Sequence, residues 1–230
     1  MHIGLLLFPR LTQLDLTGPF EVFARMPGAR TYLLWKDTQP ITCDRGMNIL
    51  PSMALSEAPQ LDVICVPGGP GQIDLMEDDE VLDFLRKQAA GAKWVTSVCT
   101  GSLVLAAAGL LDGYKAACHW ASRDQLALFG AEPVDARYVI DRNRATGGGV
   151  TAGIDFALAL AAQIHGETMA KAIQLSIEYD PAPPFAAGSP KGAGEDVVST
   201  LKVVMAPMLE KRLAASHRAA ARLSGGQRPA

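Results

Sequence analysis

The chain has 230 residues, of which 49% are hydrophobic and 20% charged, and its formal net charge is −3. This composition predicts one folded domain with a sizeable core and excludes a mainly disordered chain. The near balance of charge gives no reason to expect nucleic acid or a membrane as a partner, and no apolar run approaches the roughly 18–20 residues of a membrane helix.

The N-terminal segment and the cysteines indicate the compartment. Residues 1–10 lack the basic region and the small-residue cleavage site of a secretory signal peptide, so a first strand is predicted there. The cysteines have neither CxxC spacing nor the His pairs of a zinc site; they are Cys43, Cys65, Cys99 and Cys118. Neither a metal site nor a disulfide framework is expected, and the reducing cytoplasm is the expected location.

Apolar runs alternate with helical patterns along the first 180 residues. The predicted elements are strands at 3–8, 31–36, 61–66, 94–98, 138–140 and 144–146, and helices at 17–26, 79–90, 101–108, 154–164 and 168–179. Continuous apolar strands that alternate with helices are typical of a parallel sheet covered on both faces. Residues 1–180 are therefore predicted to form a single-domain α/β fold, a three-layer α/β/α sandwich with a mainly parallel, doubly wound sheet.

A helical extension is predicted after this domain. Residues 181–194 are rich in Pro and Gly and predict an extended loop. Over 195–230, a helix is predicted at 197–223, interrupted or kinked at Pro207, with a frayed tail at its end. Basic residues outnumber acidic ones by five from residue 200 onward, which we interpret as a solvated helix face; they are Lys202, Lys211, Arg212, Arg218, Arg222 and Arg228 against Glu210.

The strongest chemical signal is the segment Ser97-Val98-Cys99-Thr100-Gly101-Ser102, in which a predicted strand passes directly into a helix. Small residues two places before and after Cys99 are typical of a nucleophile elbow, a turn too tight for large side chains. A cysteine at a helix N-terminus is expected to have a lowered pKa and to act as a nucleophile. The alternative is a buried structural cysteine at a strand end, as is expected for Cys65.

Two further segments follow predicted strands. Pro67-Gly68-Gly69-Pro70-Gly71 could expose backbone N–H groups to an anionic atom, or it could be an ordinary turn; no Gly-Lys-Ser/Thr follows, so it is not a phosphate loop. Asp15 lies between two leucines, so burial is expected to raise its pKa and to make it a general acid. The alternative is an Asp that caps the next helix.

His119 is expected to begin a helix after a short strand. It could be a base for Cys99, or a capping or packing residue. The Gly-rich segment 147–153 enters another helix and is interpreted as a close-packing turn.

Together these segments resemble the ThiJ/PfpI superfamily, a branch of the class I glutamine amidotransferase-like fold, from Ile3 to about Leu223. The resembling stretches are residues 13–19, 61–69, 95–105, 146–156 and 178–185. An Asp at position 15 and the Pro-Ala-Pro-Pro-Phe stretch at 181–185 favour the isocyanide-hydrating branch, because deglycase-type relatives carry a Glu at the position of Asp15.

The resemblance also implies site residues. Cys99 matches the nucleophile and Asp15 its carboxyl partner. The remaining matches are Thr100, whose backbone N–H and hydroxyl face the site; Gly69, a backbone donor; Val150, a branched apolar residue on a helix beside the nucleophile; and His119, near the pocket but not in a strict triad.

The activity that the resemblance implies is addition of water to an organic isocyanide, giving an N-substituted formamide through a Cys99 thioimidate, with Asp15 as general acid and base. No metal or organic cofactor is expected. The alternatives are a glyoxalase- or deglycase-type hydrolase that acts on α-oxoaldehydes through the same cysteine, and a redox sensor in which Cys99 is oxidised.

The resemblance implies a homodimer, and the C-terminal helix gives a physical reason for one. Its apolar residues recur at close to helical spacing; they are Val197, Val198, Leu201, Val204, Met205, Met208 and Leu213. Such a stripe on an outlying helix needs a covering surface, which a twofold partner could supply by exchange or direct contact. The alternative is that the helix folds back on its own subunit.

Overall fold

A computed structural model describes residues 1–225. The strands are β1 (His2–Leu6), β2 (Arg30–Trp35), β3 (Ile41–Thr42), β4 (Asn48–Ile49), β5 (Met53–Ala54), β6 (Val63–Val66), β7 (Trp94–Val98), β8 (Lys115–Ala116), β9 (Glu132–Pro133), β10 (Tyr138–Asp141) and β11 (Arg144–Gly147). The helices are α1 (Gln13–Phe23), α2 (Gln72–Leu75), α3 (Asp79–Ala89), α4 (Gly101–Ala107), α5 (Ala152–His165), α6 (Glu167–Ser176), α7 (Pro190–Ala193) and α8 (Glu195–Ser224), with 3₁₀ helices at Leu55–Glu57 and Arg123–Phe129. Most of the predicted frayed tail, residues 226–230, lies outside the described residues.

The central sheet has seven strands in the order β10-β11-β7-β6-β1-β2-β5. All neighbouring strands are parallel except β10 and β11, which are antiparallel. The chain first extends the sheet from β1 through β2 to β5 and then returns to β6 on the other side of β1. This reversal makes the boundary between β1 and β6 the topological switch point, where α/β proteins bind their ligands. The predicted mainly parallel, doubly wound sheet is confirmed.

Helices flank the sheet in two groups. One group contains α1, α5 and α6, and the other contains α2, α3, α4 and α8. Strand β6 is buried along its whole length, as its continuous apolar sequence predicts. Between α1 and α5, the rings of Phe23 and Phe156 meet edge to face with centroids 5.9 Å apart. Within residues 1–225, no helix is both long enough and apolar enough to cross a bilayer.

Three predicted elements differ in the structure. Helix α1 begins at Gln13, four residues before the predicted start, and Pro19 lies inside it. Helix α8 runs from Glu195 to Ser224 without interruption at Pro207. The predicted extended loop contains the short helix α7, where Ser189 accepts a hydrogen bond from the Gly192 N–H at 3.3 Å.

The two halves of α8 have different surroundings. The second half packs on its own subunit, against α2, α4 and the 3₁₀ helix Arg123–Phe129. Ion pairs of Arg218 with Glu77 and of Arg222 with Asp79 fasten it there. The first half leaves apolar side chains in solvent, with Val203 75% exposed. The fold-back alternative therefore describes the second half, while the first half remains uncovered in the single chain.

Candidate active site

Three neighbouring strands end at one edge of the sheet. Because β1, β6 and β7 are adjacent and parallel, the segments that follow them meet at the switch point. Asp15 follows β1, the Gly68-Gly69 turn follows β6, and Cys99 follows β7. The structure thus brings together the three segments singled out in the sequence.

Cys99 occupies a strained turn between β7 and α4. Its φ of 57° lies in the left-handed region, which non-glycine residues rarely adopt. The Cys99 N–H donates to the Gly147 carbonyl oxygen at 3.0 Å, and this bond holds the turn. A Cβ at Gly101 would overlap the Val66 carbonyl oxygen, so only glycine fits two places after the cysteine. These are the features of a nucleophile elbow.

Asp15 is fully buried beside Cys99. Its Oδ2 accepts a hydrogen bond from the Gly68 N–H at 2.9 Å, and its carboxyl interacts with the Cys99 thiol. Among the described residues, Oδ1 has no hydrogen-bond partner. Burial raises the pKa of Asp15 to about 7, although the bond from Gly68 opposes the shift. The carboxyl group can therefore both hold and release a proton near neutral pH.

The helix-cap alternative for Asp15 does not describe the structure. The N-cap of α1 is Thr12, and Asp15 lies in the first turn of the helix. Its side chain reaches across to the turn after β6 rather than to the N–H groups of α1.

The glycine turn after β6 uses its N–H groups on the protein itself. The Gly68 N–H donates to Asp15, and the Gly69 N–H donates to the Thr100 hydroxyl at 3.1 Å. Gly69 was expected to present its N–H to a bound anion, whereas here that N–H holds Thr100. A Cβ at Gly68 would lie 2.6 Å from the Thr100 nitrogen and 2.8 Å from the Asp15 Oδ2. The turn therefore positions Asp15 and Thr100 beside Cys99.

The pKa of Cys99 shifts in the direction opposite to the prediction. Burial raises it well above the ordinary value, and the nearby Asp15 and Cys118 raise it further. The bond from the Thr100 N–H lowers the pKa, but this effect is smaller. The expected lowering of the Cys99 pKa by the helix N-terminus is therefore wrong for this structure, in which Cys99 is 5% exposed. The sulfur of Cys99 is therefore held as a thiol rather than a thiolate at neutral pH.

His119 and Val150 lie on connecting segments. His119 does not begin a helix, since it falls in the loop between β8 and the 3₁₀ helix Arg123–Phe129. Its Nδ1 accepts the Ala121 N–H at 3.3 Å, and no hydrogen bond joins it to Cys99 within residues 1–225. Burial, aided by Arg212, lowers the pKa of His119 to about 4, so the ring is neutral at pH 7. Val150 lies in the turn before α5 rather than on the helix, half-buried against the core.

Arg212 was missed in the sequence and was assigned to the solvated face. The structure buries it, with 2% of its surface exposed. Its electrostatic field reaches Cys118 and His119. The signal available in the sequence was the small residues on the same helix face, Ala215, Ser216 and Ala219, which are also buried.

The four cysteines are free and buried. Within residues 1–225, no group of three His, Cys, Asp or Glu side chains is arranged to hold a metal ion. Cys65 lies in the core strand β6, as predicted, and burial raises its pKa to about 12.

The fold and the elbow define a class of protein, and the sequence falls within it. The DJ-1/PfpI family matches residues 1–163, and the chain belongs to this family. This confirms the resemblance to the ThiJ/PfpI superfamily.

Individual relatives narrow the comparison. The chain is 53% identical to the isonitrile hydratase of Pseudomonas putida, over 97% of this chain and 98% of that protein. A crystal structure of a ThiJ/PfpI family protein from Pseudomonas syringae superposes with a TM-score of 0.91 at 45% identity, covering 94% of this chain and 90% of the other. A glutathione-independent glyoxalase of Caenorhabditis elegans is 28% identical, over 60% of this chain and 75% of its own length.

Proposed function

We propose that the protein is an isocyanide hydratase, which converts an organic isocyanide and water to an N-substituted formamide. The observation that carries the proposal is the pairing of the Cys99 thiol with the buried Asp15 carboxyl, whose pKa lies near neutrality. The identity of 53% to an isonitrile hydratase over nearly the whole chain supports the same activity over the α-oxoaldehyde hydrolase and the redox sensor.

The terminal carbon of an isocyanide must gain both a bond to sulfur and a proton. We assign both events to the Cys99–Asp15 pair, which begins with one proton on the thiol. The thiol proton passes to the Asp15 carboxylate and from there to the isocyanide carbon, while the sulfur bonds to that carbon. The product is a thioimidate on Cys99, and the carboxylate is regenerated. One carboxyl group thus acts first as a base and then as an acid.

Hydrolysis of the thioimidate uses the same carboxylate. Asp15 takes a proton from water as the oxygen attacks the carbon, and returns it to the imine nitrogen. In the tetrahedral adduct, the hydroxyl proton passes through Asp15 to sulfur as the carbon–sulfur bond breaks. The formamide leaves and the Cys99 thiol is restored, with no net change in oxidation state.

Thr100 and the Gly68-Gly69 turn hold the reacting groups in place. The bond from the Gly69 N–H fixes the Thr100 hydroxyl, and the bond from the Gly68 N–H fixes Asp15. In this proposal, the Thr100 N–H stabilises negative charge on sulfur, because it lowers the pKa of Cys99. In this proposal, Val150 and the neutral ring of His119 contact the substrate beside Cys99.

Turnover of an aryl isocyanide by the full-length protein tests the activity. Formamide formation is followed by absorbance, and water labelled with ¹⁸O should place the label in the formamide oxygen. Cys99→Ala should abolish turnover while leaving the circular dichroism spectrum unchanged. In a single turnover, the intact mass should rise by the mass of the isocyanide, with the increase on the Cys99 peptide. Consumption of methylglyoxal without isocyanide turnover would overturn the proposal in favour of the hydrolase.

We also propose that the enzyme is a homodimer in the reducing cytoplasm, where its four cysteines stay free. The uncovered first half of α8, with Val204 72% exposed, supports a subunit contact there. Val204→Glu should lower the mass measured by light scattering, whereas Lys202→Glu on the same half should not. A dimer that persists in Val204→Glu would place the contact elsewhere.

A further inference from the structure

A second carboxyl group lies behind the loop that carries Asp15. Asp44 is on the turn between β3 and β4, and its side chain is 12% exposed. Its Oδ2 accepts a hydrogen bond from the Thr12 hydroxyl at 3.1 Å, and its Oδ1 is buried with no hydrogen-bond partner among the described residues. Its ion-pair partner Arg45 is 89% exposed, with Nε 3.8 Å from Oδ2. A long pair with an exposed cation contributes little, so the negative charge of Asp44 is poorly compensated.

Hydrogen bonds fasten Asp44 to the segment that carries Asp15. The Asp44 N–H donates to the Leu11 carbonyl oxygen at 2.9 Å, and the Asp15 N–H donates to the Thr12 carbonyl oxygen at 3.0 Å. The Thr12 N–H donates to the Gly68 carbonyl oxygen at 2.9 Å, and the Gly68 N–H donates to Asp15 Oδ2 at 2.9 Å. Thr12 thus bonds to Asp44 through its hydroxyl and to Asp15 through its carbonyl oxygen, which holds the two carboxyl groups in a fixed relation.

Asp44 is also the negative charge that acts on Asp15 at neutral pH. Among the described residues, the other titratable groups coupled to Asp15 are the thiols of Cys99 at the elbow, Cys65 on β6 and Cys118 after β8. Burial raises the pKa of each thiol, so all three are uncharged. Burial is the largest cause of the raised pKa of Asp15, and the Asp44 carboxylate raises that pKa further.

We propose that Asp44 is a positioning residue that acts through Asp15, and that its negative charge makes Asp15 a stronger proton acceptor for the Cys99 thiol. A like charge nearby disfavours the ionised carboxylate, so Asp15 takes up a proton more readily. In that transfer the S–H bond breaks, an O–H bond forms on Asp15, and the negative charge passes to sulfur. In its chemical role, the inference rests on the proposed hydratase activity.

The test follows the ionisation of Asp15 directly and needs no isocyanide. Full-length protein is labelled with ¹³C at the aspartate carboxyl carbons, and the Asp15 signal is identified by its absence from Asp15→Asn. Its chemical shift is measured by NMR as the pH is raised through neutrality, and wild type should give a midpoint of about 7. In Asp44→Asn, which keeps an oxygen for the Thr12 hydroxyl, the midpoint should fall by about half a pH unit or more. An unchanged midpoint overturns the proposal.

Matched variants separate the charge of Asp44 from its shape. Asp44→Glu keeps the charge, so its midpoint should lie closer to wild type than to Asp44→Asn. Asp74→Asn removes an exposed carboxylate that pairs with Arg10, two residues before Thr12, and it should leave the midpoint unchanged. A fall in either control as large as that in Asp44→Asn would show that the charge at position 44 is not the cause.

Loosening of the site is a separate way for the midpoint to fall, because water would then reach Asp15. Hydrogen exchange detects it, since the Gly68 N–H is bonded to the Asp15 carboxyl. Peptides that cover Gly68 should exchange at the wild-type rate in Asp44→Asn, and faster exchange would overturn the proposal. Should Asp44→Asn fail to fold, Asp44→Ser supplies a second neutral side chain, for which the same fall is expected and an unchanged midpoint counts against the inference.

Turnover gives an independent result. The acid limb of the pH profile of kcat/KM should move to lower pH in Asp44→Asn by the same amount as the NMR midpoint, and a limb that stays in place overturns the chemical role. If the midpoint responds to Asp44 but no isocyanide is converted, the proposed activity fails while the effect of the charge stands. If isocyanide is converted and the midpoint does not respond, the activity stands and this inference fails.

Discussion

Replacing Asp15 by Asn should stabilise the fold while it removes the proton carrier. The pKa of Asp15 is raised from an ordinary 3.8 to about 7 because the group is buried. A carboxyl with a raised folded-state pKa contributes fully to stability below pH 4, and this contribution is lost as the pH rises toward 7. Each pKa unit corresponds to about 1.4 kcal/mol, so the loss approaches about 4 kcal/mol at neutral pH.

Asn cannot ionise, yet its side-chain oxygen can still accept the bond from Gly68. The free energy of unfolding of Asp15→Asn relative to wild type should therefore increase by about 2–3 kcal/mol between pH 5 and pH 8. Urea denaturation followed by circular dichroism at four pH values in this range measures the difference. The exposed carboxyl Asp74, paired with Arg10, supplies the control Asp74→Asn, in which no such increase is expected.

The test depends on how the difference in the free energy of unfolding between Asp15→Asn and wild type changes with pH. A difference that is constant with pH reflects only the change of side chain. A difference that stays flat from pH 5 to pH 8, or that shrinks, would refute the assignment of a raised pKa to Asp15. The proton-carrier role would then lose its physical basis.

The remaining predictions concern the rest of the site. Asp15→Asn should lower turnover by about 10²–10⁴, the usual range for a positioned acid or base, and near wild-type rates would contradict its role. Iodoacetamide should modify Cys99 before Cys65, which lies inside a core strand, and earlier labelling of Cys65 would count against the elbow. Gly68→Ala should lose about 1–3 kcal/mol of stability and at least about tenfold in rate, because the new Cβ overlaps two site residues. Gly188→Ala, whose Cβ meets open space, should change neither quantity.

Local sequence was sufficient for the sheet and the elbow. A continuous apolar run such as Val63–Val66 can only be satisfied between two layers, and its burial follows. The small residue at Gly101 is required by the Val66 carbonyl oxygen on the neighbouring strand β6, which a Cβ would overlap. It could still be predicted, because a tight strand-to-helix elbow imposes the same small-residue spacing on its own sequence.

Features that depend on contacts between residues far apart in the sequence could not be predicted when the sequence shows no local pattern for them. The start of α1 is one such feature, because the pattern predicts a helix from residue 17 and α1 begins at Gln13. The rule that a helix start lowers a cysteine pKa gave the wrong direction for Cys99, because burial by the assembled fold outweighs it. Arg212 belongs to a basic stretch, and only its partners 140 and 90 residues away show that it is buried.

The anchoring of α8 has a consequence for the order in which the parts of the molecule fold. Its bonds to the region 72–79 close loops of about 140 residues, whereas the strands around the elbow pair with much nearer segments. Long loops cost more entropy to close, and contacts between distant segments slow folding. Residues 210–224 also leave the ribosome after the strands and the elbow. We therefore expect a newly made molecule to complete its sheet and elbow first and to gain the Arg212 side chain only when α8 docks.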